Sequence, residues 1–122
     1  MFEQSFLAKK ILEKNGYSAG LINLRTLKPI DTKEIIRALQ SSDLIVTVED
    51  HFLTGGLYSI ISEIITKEKI EANLLPVALQ NKWFKPALIN DILEYEKFTG
   101  AHIALNIIGS LQKERNFVAH LV

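Results

Sequence analysis

The sequence predicts an α/β domain, a three-layer α/β/α sandwich in which helices cover both faces of a mostly parallel sheet. Patterns typical of strands and of helices alternate along most of the chain, with short connections between them. The clearest strand is the continuous apolar run at 44–48, which is typical of a strand buried on both faces. After it, apolar residues recur at the spacing of a helix, namely Leu57, Ile60, Ile61, Ile64 and Ile65.

Four more helices are indicated by apolar residues that recur at helical spacing. They are expected at residues 3–15, 31–40, 88–96 and from 99 onward. Asp31 and Thr99 are expected to be N-caps, because their side-chain oxygens can accept hydrogen bonds from free backbone amides. Glu34 stands three residues after Asp31 and completes a capping-box-like pair.

Two more strands are expected, at 21–24 and at 73–79. Pro76 has no amide hydrogen, which favours an edge or bulged position for the second of them. Three strands are fewer than the roughly four or five that such a sheet usually has. We therefore expect one domain spanning 1–122 that lacks its first edge strand, as if cut from a larger protein. Residues 116–122 are expected to form a tail or a short strand.

Composition and charge exclude several classes of protein. Hydrophobic residues make up 48% of the 122 residues and charged residues 23%, which is typical of a soluble globular domain. Fourteen basic residues balance fourteen acidic ones, whereas a nucleic-acid-binding protein usually has a basic excess. The chain contains no cysteine, which excludes disulfides and thiolate metal sites. It has no membrane-length apolar run and no signal-peptide pattern, so we expect a cytoplasmic protein.

The polar residues between the run at 44–48 and the following helix form the candidate site. Ligands of open α/β sheets usually bind at loops that follow the carboxyl ends of strands. The candidate residues of this predicted loop, for binding an anion or another ligand or for contact with a partner, are Glu49, Asp50, His51, Thr54, Gly55 and Gly56.

Each half of this loop has two interpretations. Glu49, Asp50 and His51 can be an acid/base cluster, or polar groups that satisfy backbone amides or pair across an interface. Adjacent residues of an extended segment point to opposite faces, so the three side chains cannot all converge, and we assign no catalytic residue. The Gly55–Gly56 pair can bind an anion at a helix start, or it can allow the helix to pack closely on the strand.

Two weaker candidates lie elsewhere. His51, His102 and His120 are too far apart in sequence to match a metal-ligand motif, so no metal site is assigned. Trp83 and Phe84 are either an exposed aromatic anchor for a partner or part of the core under a loop.

Two segments resemble the C-terminal domain of transketolase-like, thiamine-diphosphate-dependent enzymes. The segment 23–31 (NLRTLKPID) is similar to the pattern "lrTlkPlD" of that family. The segment 46–57 (VTVEDHFLTGGL) is similar to "vtvEeH…GGlG", and Tyr58 stands where the family commonly has glycine. The likeness covers about residues 5–112. It is strongest to the transketolases within a family that includes 1-deoxyxylulose-5-phosphate synthases and 2-oxoacid dehydrogenase E1 β subunits.

The resemblance implies a domain without catalytic residues of its own. In this family, thiamine diphosphate and Mg²⁺ are held between two other domains, one of which carries a GDG…N motif that is absent from this sequence. The resemblance therefore implies that this chain alone binds no cofactor. Its partners would be the thiamine-binding domains or subunit of the parent enzyme, and the domain would contribute to a dimer interface, with an anion-binding or regulatory role. An alternative of another class is a free-standing flavodoxin-like module that binds a small anionic ligand.

Overall fold

The computed structural model describes residues 1–83 and 85–119, with the side chains of the last helix described as far as Lys113. These residues form two compact units, one made of 22–83 and the other of 1–21 with 85–119. The helices are α1 (Phe2–Lys14), α2 (Thr32–Gln40), α3 (Leu57–Glu68), α4 (Ile89–Tyr95) and α5 (Gly100–Ala119). The strands are β1 (Ile45–Phe52) and β2 (Leu74–Leu79). The predicted α/β class is confirmed, whereas the single-domain assignment stays a prediction.

The unit 22–83 contains a parallel two-stranded sheet. β1 and β2 are joined through α3, and their register pairs Ile45 with Leu74 and Val48 with Val77. An irregularity follows Val48, after which pairing resumes between Phe52 and Leu79. The predicted parallel sheet is therefore confirmed, with two strands in the part of the chain that the structure describes.

Pro76 occupies the kind of position that its chemistry predicts. The amide of Ile45 donates to the carbonyl of Asn73 at 2.9 Å, and Thr47 is paired with Pro76. In a parallel ladder these two facts place the backbone groups of Leu75 and Val77 toward β1. The nitrogen of Pro76 therefore faces away from β1, on the outer edge of β2. Among the described residues β2 pairs with β1 alone, so the predicted edge position is confirmed there.

An apolar cluster between α2 and α3 stabilises this unit. Its buried members are Ile35, Leu39, Ile61 and Ile64. Each buried side chain of this size contributes roughly 1.5–3 kcal/mol relative to full exposure. The helical periodicities of the sequence thus correctly identify the buried faces of both helices.

Two predictions about the strands are wrong. Residues 21–24 were expected to be a strand but form no regular element, because a strand requires a neighbouring backbone to bond with and β1 pairs only with β2 among the described residues. The sequence predicts a loop at Glu49, Asp50 and His51, whereas these residues belong to β1, which continues to Phe52. Polar side chains did not end the strand, because the ladder depends on backbone groups.

In the second unit, α1 packs against α5. The buried side chains are Ala8, Leu12, Phe98, Ile103, Ala104 and Ile107. A methyl group added at Gly100 would lie 2.6 Å from Cβ of Leu7, so the start of α5 is pressed onto α1. The amide of Gly100 donates to Oε1 of Gln4 at 2.9 Å. The glycine is therefore required by close packing of the two helices.

The predicted N-cap of α5 is confirmed. The amide of His102 donates to Oγ1 of Thr99 at 3.4 Å, and the amide of Ile103 donates to its carbonyl at 3.0 Å. The expected tail or strand at 116–122 is wrong for 116–119, which are helical, and the remainder lies outside the described residues. Within the described ranges, no helix combines the length and apolar character that crossing a bilayer requires.

Candidate functional site

The junction between β1 and α3 is organised by the carboxylate of Glu49. The amide of Leu57 donates to its Oε2 at 2.6 Å, and the amide of Tyr58 donates to its Oε1 at 2.9 Å. These are the first two amides of α3, and the residue before them, Gly56, has no side chain with which to cap the helix. Glu49 is only 8% exposed. The buried carboxylate from the preceding strand therefore accepts hydrogen bonds from the first two backbone amides of α3, which have no partner within the helix.

Gly56 is required by the approach of that carboxylate. A Cβ atom at this position would lie 2.0 Å from Oε2 of Glu49 and 2.7 Å from the carbonyl oxygen of Phe52. Such distances are far shorter than any van der Waals contact, and one of the two atoms belongs to the backbone. Gly55 serves a different purpose, because its φ of +84° lies in the left-handed region that favours glycine. The turn thus requires Gly55, and close packing requires Gly56.

A serine closes the turn between the strand and the helix. The amide of Gly55 donates to Oγ of Ser59 at 2.9 Å, and the hydroxyl of Ser59 donates to the carbonyl of Leu53 at 3.2 Å. The sequence interpretation missed Ser59. The available signal was a hydroxyl residue in the first turn of α3, a position from which serine often bonds to nearby backbone.

The other polar residues of the site face outward. Asp50, His51 and Thr54 are exposed, whereas Glu49 is buried. Nδ1 of His51 lies 3.1 Å from the carbonyl oxygen of Phe52, a contact that the Nδ1–H tautomer makes as a donor. Both oxygens of Glu49 accept from backbone amides. The structure therefore separates the three groups that an acid/base cluster would need to bring together.

This geometry bears on the two interpretations of the glycine loop. The chain's own carboxylate already occupies the first two amides of α3, so an external anion would compete with a group tethered in place. Asp50, His51 and Thr54 remain accessible for contact with a partner. Ligand binding and interface formation by this loop stay predictions.

A second polar cluster lies at the start of α5. Oγ1 of Thr99 is 2.8 Å from Nδ1 of His102, and Oε2 of Glu94 is 3.4 Å from the same nitrogen. His120 lies outside the described residues. Where the structure describes side chains, no three histidine or acidic groups come close enough to share a metal ion.

Trp83 projects into solvent. Its side chain is fully exposed, with a relative accessibility of 100%, so the core interpretation is wrong for this residue. Phe84 lies outside the described residues. An anchor role of Trp83 for a partner stays a prediction.

Comparison with known proteins identifies relatives of the chain. A family model described as "Transketolase, C-terminal domain" matches residues 1–103. This match confirms the resemblance of the segments 23–31 and 46–57.

Among curated proteins, the "Putative transketolase C-terminal section" of Methanocaldococcus jannaschii is 34% identical over 111 residues, which are 91% of this chain and 34% of that protein. The 1-deoxy-D-xylulose-5-phosphate synthase of Dictyoglomus thermophilum is 33% identical over 105 residues, 86% of this chain and 17% of the enzyme. That of Methylacidiphilum infernorum is 54% identical over 57 residues, 47% of this chain and 9% of the enzyme. The chain thus spans about a third of the first relative and less than a fifth of the second.

A solved structure shares the fold. The chain is similar to one titled "Split gene transketolase, inactive beta4 tetramer", with a TM-score of 0.79 and 23% sequence identity. The match covers 91% of this chain and 35% of that one. At this level of identity the likeness establishes the fold alone.

Proposed function

Because the chain belongs to the transketolase C-terminal domain family, we propose that it is the non-catalytic C-terminal section of a thiamine-diphosphate-dependent enzyme of the transketolase type. The reaction of that enzyme is ketol transfer between sugar phosphates. Thiamine diphosphate and Mg²⁺ bind to its other domains, and this section holds the assembly together.

The observation that carries this proposal is that the polar residues at the junction of β1 and α3 have structural roles. In the segment most similar to the family, the buried acid bonds to the first two amides of α3 and the glycines fit a turn and a close approach. A cofactor site would need such groups to be directed toward a ligand. The match to a C-terminal section of another organism supports the same division of labour.

A partner polypeptide is the second part of the proposal. The structural neighbour is titled a split-gene transketolase whose β4 tetramer is inactive, and this chain covers 35% of it. We propose that this chain acts with the thiamine-binding domains of its parent enzyme, in a homodimeric assembly. The cytoplasmic location expected from the sequence belongs to the same proposal.

Reconstitution tests the proposal directly. The 122-residue chain is purified alone, and also together with the polypeptide of the same genome that carries the thiamine-binding domains. Ketol transfer is expected from the mixture in the presence of thiamine diphosphate and Mg²⁺, and not from the 122-residue chain alone. Isothermal titration of that chain with thiamine diphosphate is expected to show no binding. Turnover or cofactor affinity without the second polypeptide would contradict the proposal.

A second candidate reaction is supported by one observation. A 1-deoxy-D-xylulose-5-phosphate synthase is 33% identical over 105 residues, nearly the same as the 34% shared with the transketolase section over 111, and that of Methylacidiphilum infernorum reaches 54% over 57 residues. The reconstituted enzyme therefore has a second assay, the formation of 1-deoxy-D-xylulose 5-phosphate. The product that accumulates decides between the two reactions.

A further inference from the structure

The end of α1 carries the one asparagine of the 122-residue sequence that is followed by glycine. Asn15 and Gly16 are both exposed, and a Cβ atom at Gly16 would meet nothing within 4 Å. The amide of an asparagine side chain can be lost when the next backbone nitrogen attacks it, and a side chain on that next residue hinders the attack. Glycine has none. The pair therefore stands apart from the other asparagines, each of which precedes a residue with a side chain.

The reaction needs only these two residues and water. The nitrogen of Gly16 attacks Cγ of Asn15, so that a bond forms between these two atoms and the bond from Cγ to Nδ2 breaks. Nδ2 leaves as ammonia and takes the proton that the nitrogen of Gly16 loses. Water then opens the succinimide ring at either of its carbonyl groups, which gives aspartate or isoaspartate. No electrons are transferred, so the reaction requires no oxidant or reductant.

Two hydrogen bonds at the end of α1 restrain the reacting groups. Nδ2 of Asn15 donates to the carbonyl of Ile11 at 2.8 Å. The amide of Gly16 donates to the carbonyl of Glu13 at 3.1 Å. The leaving group and the attacking nitrogen are thus each held by a carbonyl of the same helix. Both hydrogen bonds must open before the ring can close.

The backbone conformation of Asn15 also keeps the reacting atoms apart. Its φ is −93° and its ψ is 13°. At a ψ near zero, the nitrogen of Gly16 nearly eclipses the nitrogen of Asn15 and is turned away from Cβ, which is a member of the ring that must form. The Cα–C bond of Asn15 therefore has to rotate before the attack. This rotation requires local opening of the end of α1.

We propose that Asn15 is a site of spontaneous deamidation and that local opening of the last turn of α1 sets its rate. The inference is independent of the proposed function, because it involves only groups of this chain and water. The products weaken the same turn. A carboxylate at position 15 cannot donate to Ile11, and it places negative charge at the negative end of the helix dipole. Isoaspartate also lengthens the backbone there, close to the buried Leu12.

Incubation of the 122-residue chain at mildly alkaline pH tests the inference without any substitution. One sample stays in native buffer, and a second is unfolded in urea. Brief digestion with pepsin at acid pH stops the reaction, and electron-transfer fragmentation distinguishes isoaspartate from aspartate. Both products are expected at position 15 in each sample, and they should form roughly tenfold faster or more in urea, where the two hydrogen bonds are absent. Asn81 and Asn90 are internal controls, because both are exposed and precede residues with side chains.

Two variants test whether local opening controls the rate. Leu12→Ala removes a buried side chain from the last turn of α1 and is expected to raise the rate in native buffer about tenfold. Lys10→Ala is the matched control, because it changes an exposed side chain of the same helix and should leave the rate unchanged. Circular dichroism shows whether Leu12→Ala folds. If it does not, the comparison of the unaltered chain in native buffer and in urea decides the question.

Each outcome of the incubation supports or overturns the inference. Products at position 15 in native buffer, formed more slowly than in urea, would support it. Equal rates in native buffer and in urea would overturn it, since the fold would not control the reaction. Absence of product at position 15 in native buffer would also overturn it, and so would equally fast conversion of Asn81 or Asn90. None of these results alters the proposed function, which reconstitution tests separately.

Discussion

At the starts of both α2 and α3, a side-chain carboxylate accepts hydrogen bonds from backbone amides of the helix. The two carboxylates differ in how far they lie from those amides along the sequence. At α2, Oδ1 of Asp31 accepts from the amide of Glu34 at 3.1 Å, on an exposed surface three residues away. At α3, the carboxylate of Glu49 reaches across the turn from β1 and accepts from two amides, eight and nine residues away. The first cap is local and solvated, whereas the second is buried and joins a strand to a helix.

The comparison shows that the same kind of capping hydrogen bond can contribute differently to the stability of the fold. Water can replace an exposed cap when the carboxylate is removed, so the loss is small. At α3 the acceptor is buried, so its removal leaves two donors with poor access to water, and the loss is large. Four changes test this comparison, in order of expected effect.

Glu49→Ala is expected to have the largest effect. It removes two hydrogen bonds to a charged group, each worth about 1.5–3 kcal/mol, so the free energy of unfolding should fall by roughly 3 kcal/mol or more. Urea denaturation followed by circular dichroism measures the change. Glu63→Ala is the control, because Glu63 is an exposed glutamate of α3. Equal effects of the two substitutions would show that the buried cap has no special value.

Gly56→Ala should come next, with a loss of about 1–3 kcal/mol. The added methyl group would meet both the carboxylate of Glu49 and the carbonyl of Phe52, so the strand and the helix must separate. Gly20→Ala is the matched control, since a Cβ atom at Gly20 meets nothing within 4 Å. The same denaturation experiment applies to both variants. An unchanged stability of Gly56→Ala would mean that the carboxylate is not held where the structure places it.

Asp31→Ala is expected to cost about 1 kcal/mol, the usual value of an exposed N-cap. The side chain accepts a hydrogen bond from Glu34 only, and solvent can satisfy that amide after the substitution. Asp31→Asn should retain most of the stability, because its side-chain oxygen can still accept. A loss of stability as large as that of Glu49→Ala would contradict the distinction between the local cap of α2 and the buried cap of α3.

Arg37→Ala is expected to have the smallest effect, with no measurable shift of the urea midpoint. Nη2 of Arg37 pairs with Oε1 of Glu34 at 2.5 Å, but this pair lies on the exposed first two turns of α2. Exposed ion pairs contribute little because solvent screens them and two long side chains lose freedom. Repeating the measurement in 1 M salt gives the control. A salt-sensitive destabilisation would show that charge matters more at α2 than this comparison allows.

The helices were predictable because their signals are local. Asp31 and Thr99 lie beside the amides that they cap, and Ile35, Ile61 and Ile103 recur at spacings that define buried faces. The strand predicted at 21–24 also rests on a local apolar pattern, but the structure has no strand there, because a strand forms only if another backbone lies alongside it. No spacing within the segment carries that information.

The candidate site was predictable in composition but not in arrangement. The sequence identified Glu49, Gly55 and Gly56 as important, and the resemblance assigned them to a family segment. It left open whether the acid faces a ligand, a partner or the helix. Ser59 was missed because its hydroxyl acquires its role only when the turn closes onto Leu53.

The sequence by itself determined the family, the α/β class and the caps and buried faces of most helices, because each depends on residues a few positions apart. The tertiary structure alone decided that Glu49 turns inward onto α3, that Gly56 has no space for a methyl group and that β1 pairs in parallel with β2. These properties depend on which atoms from separate elements meet. Contacts of that kind are fixed by packing and not by any local pattern of residues.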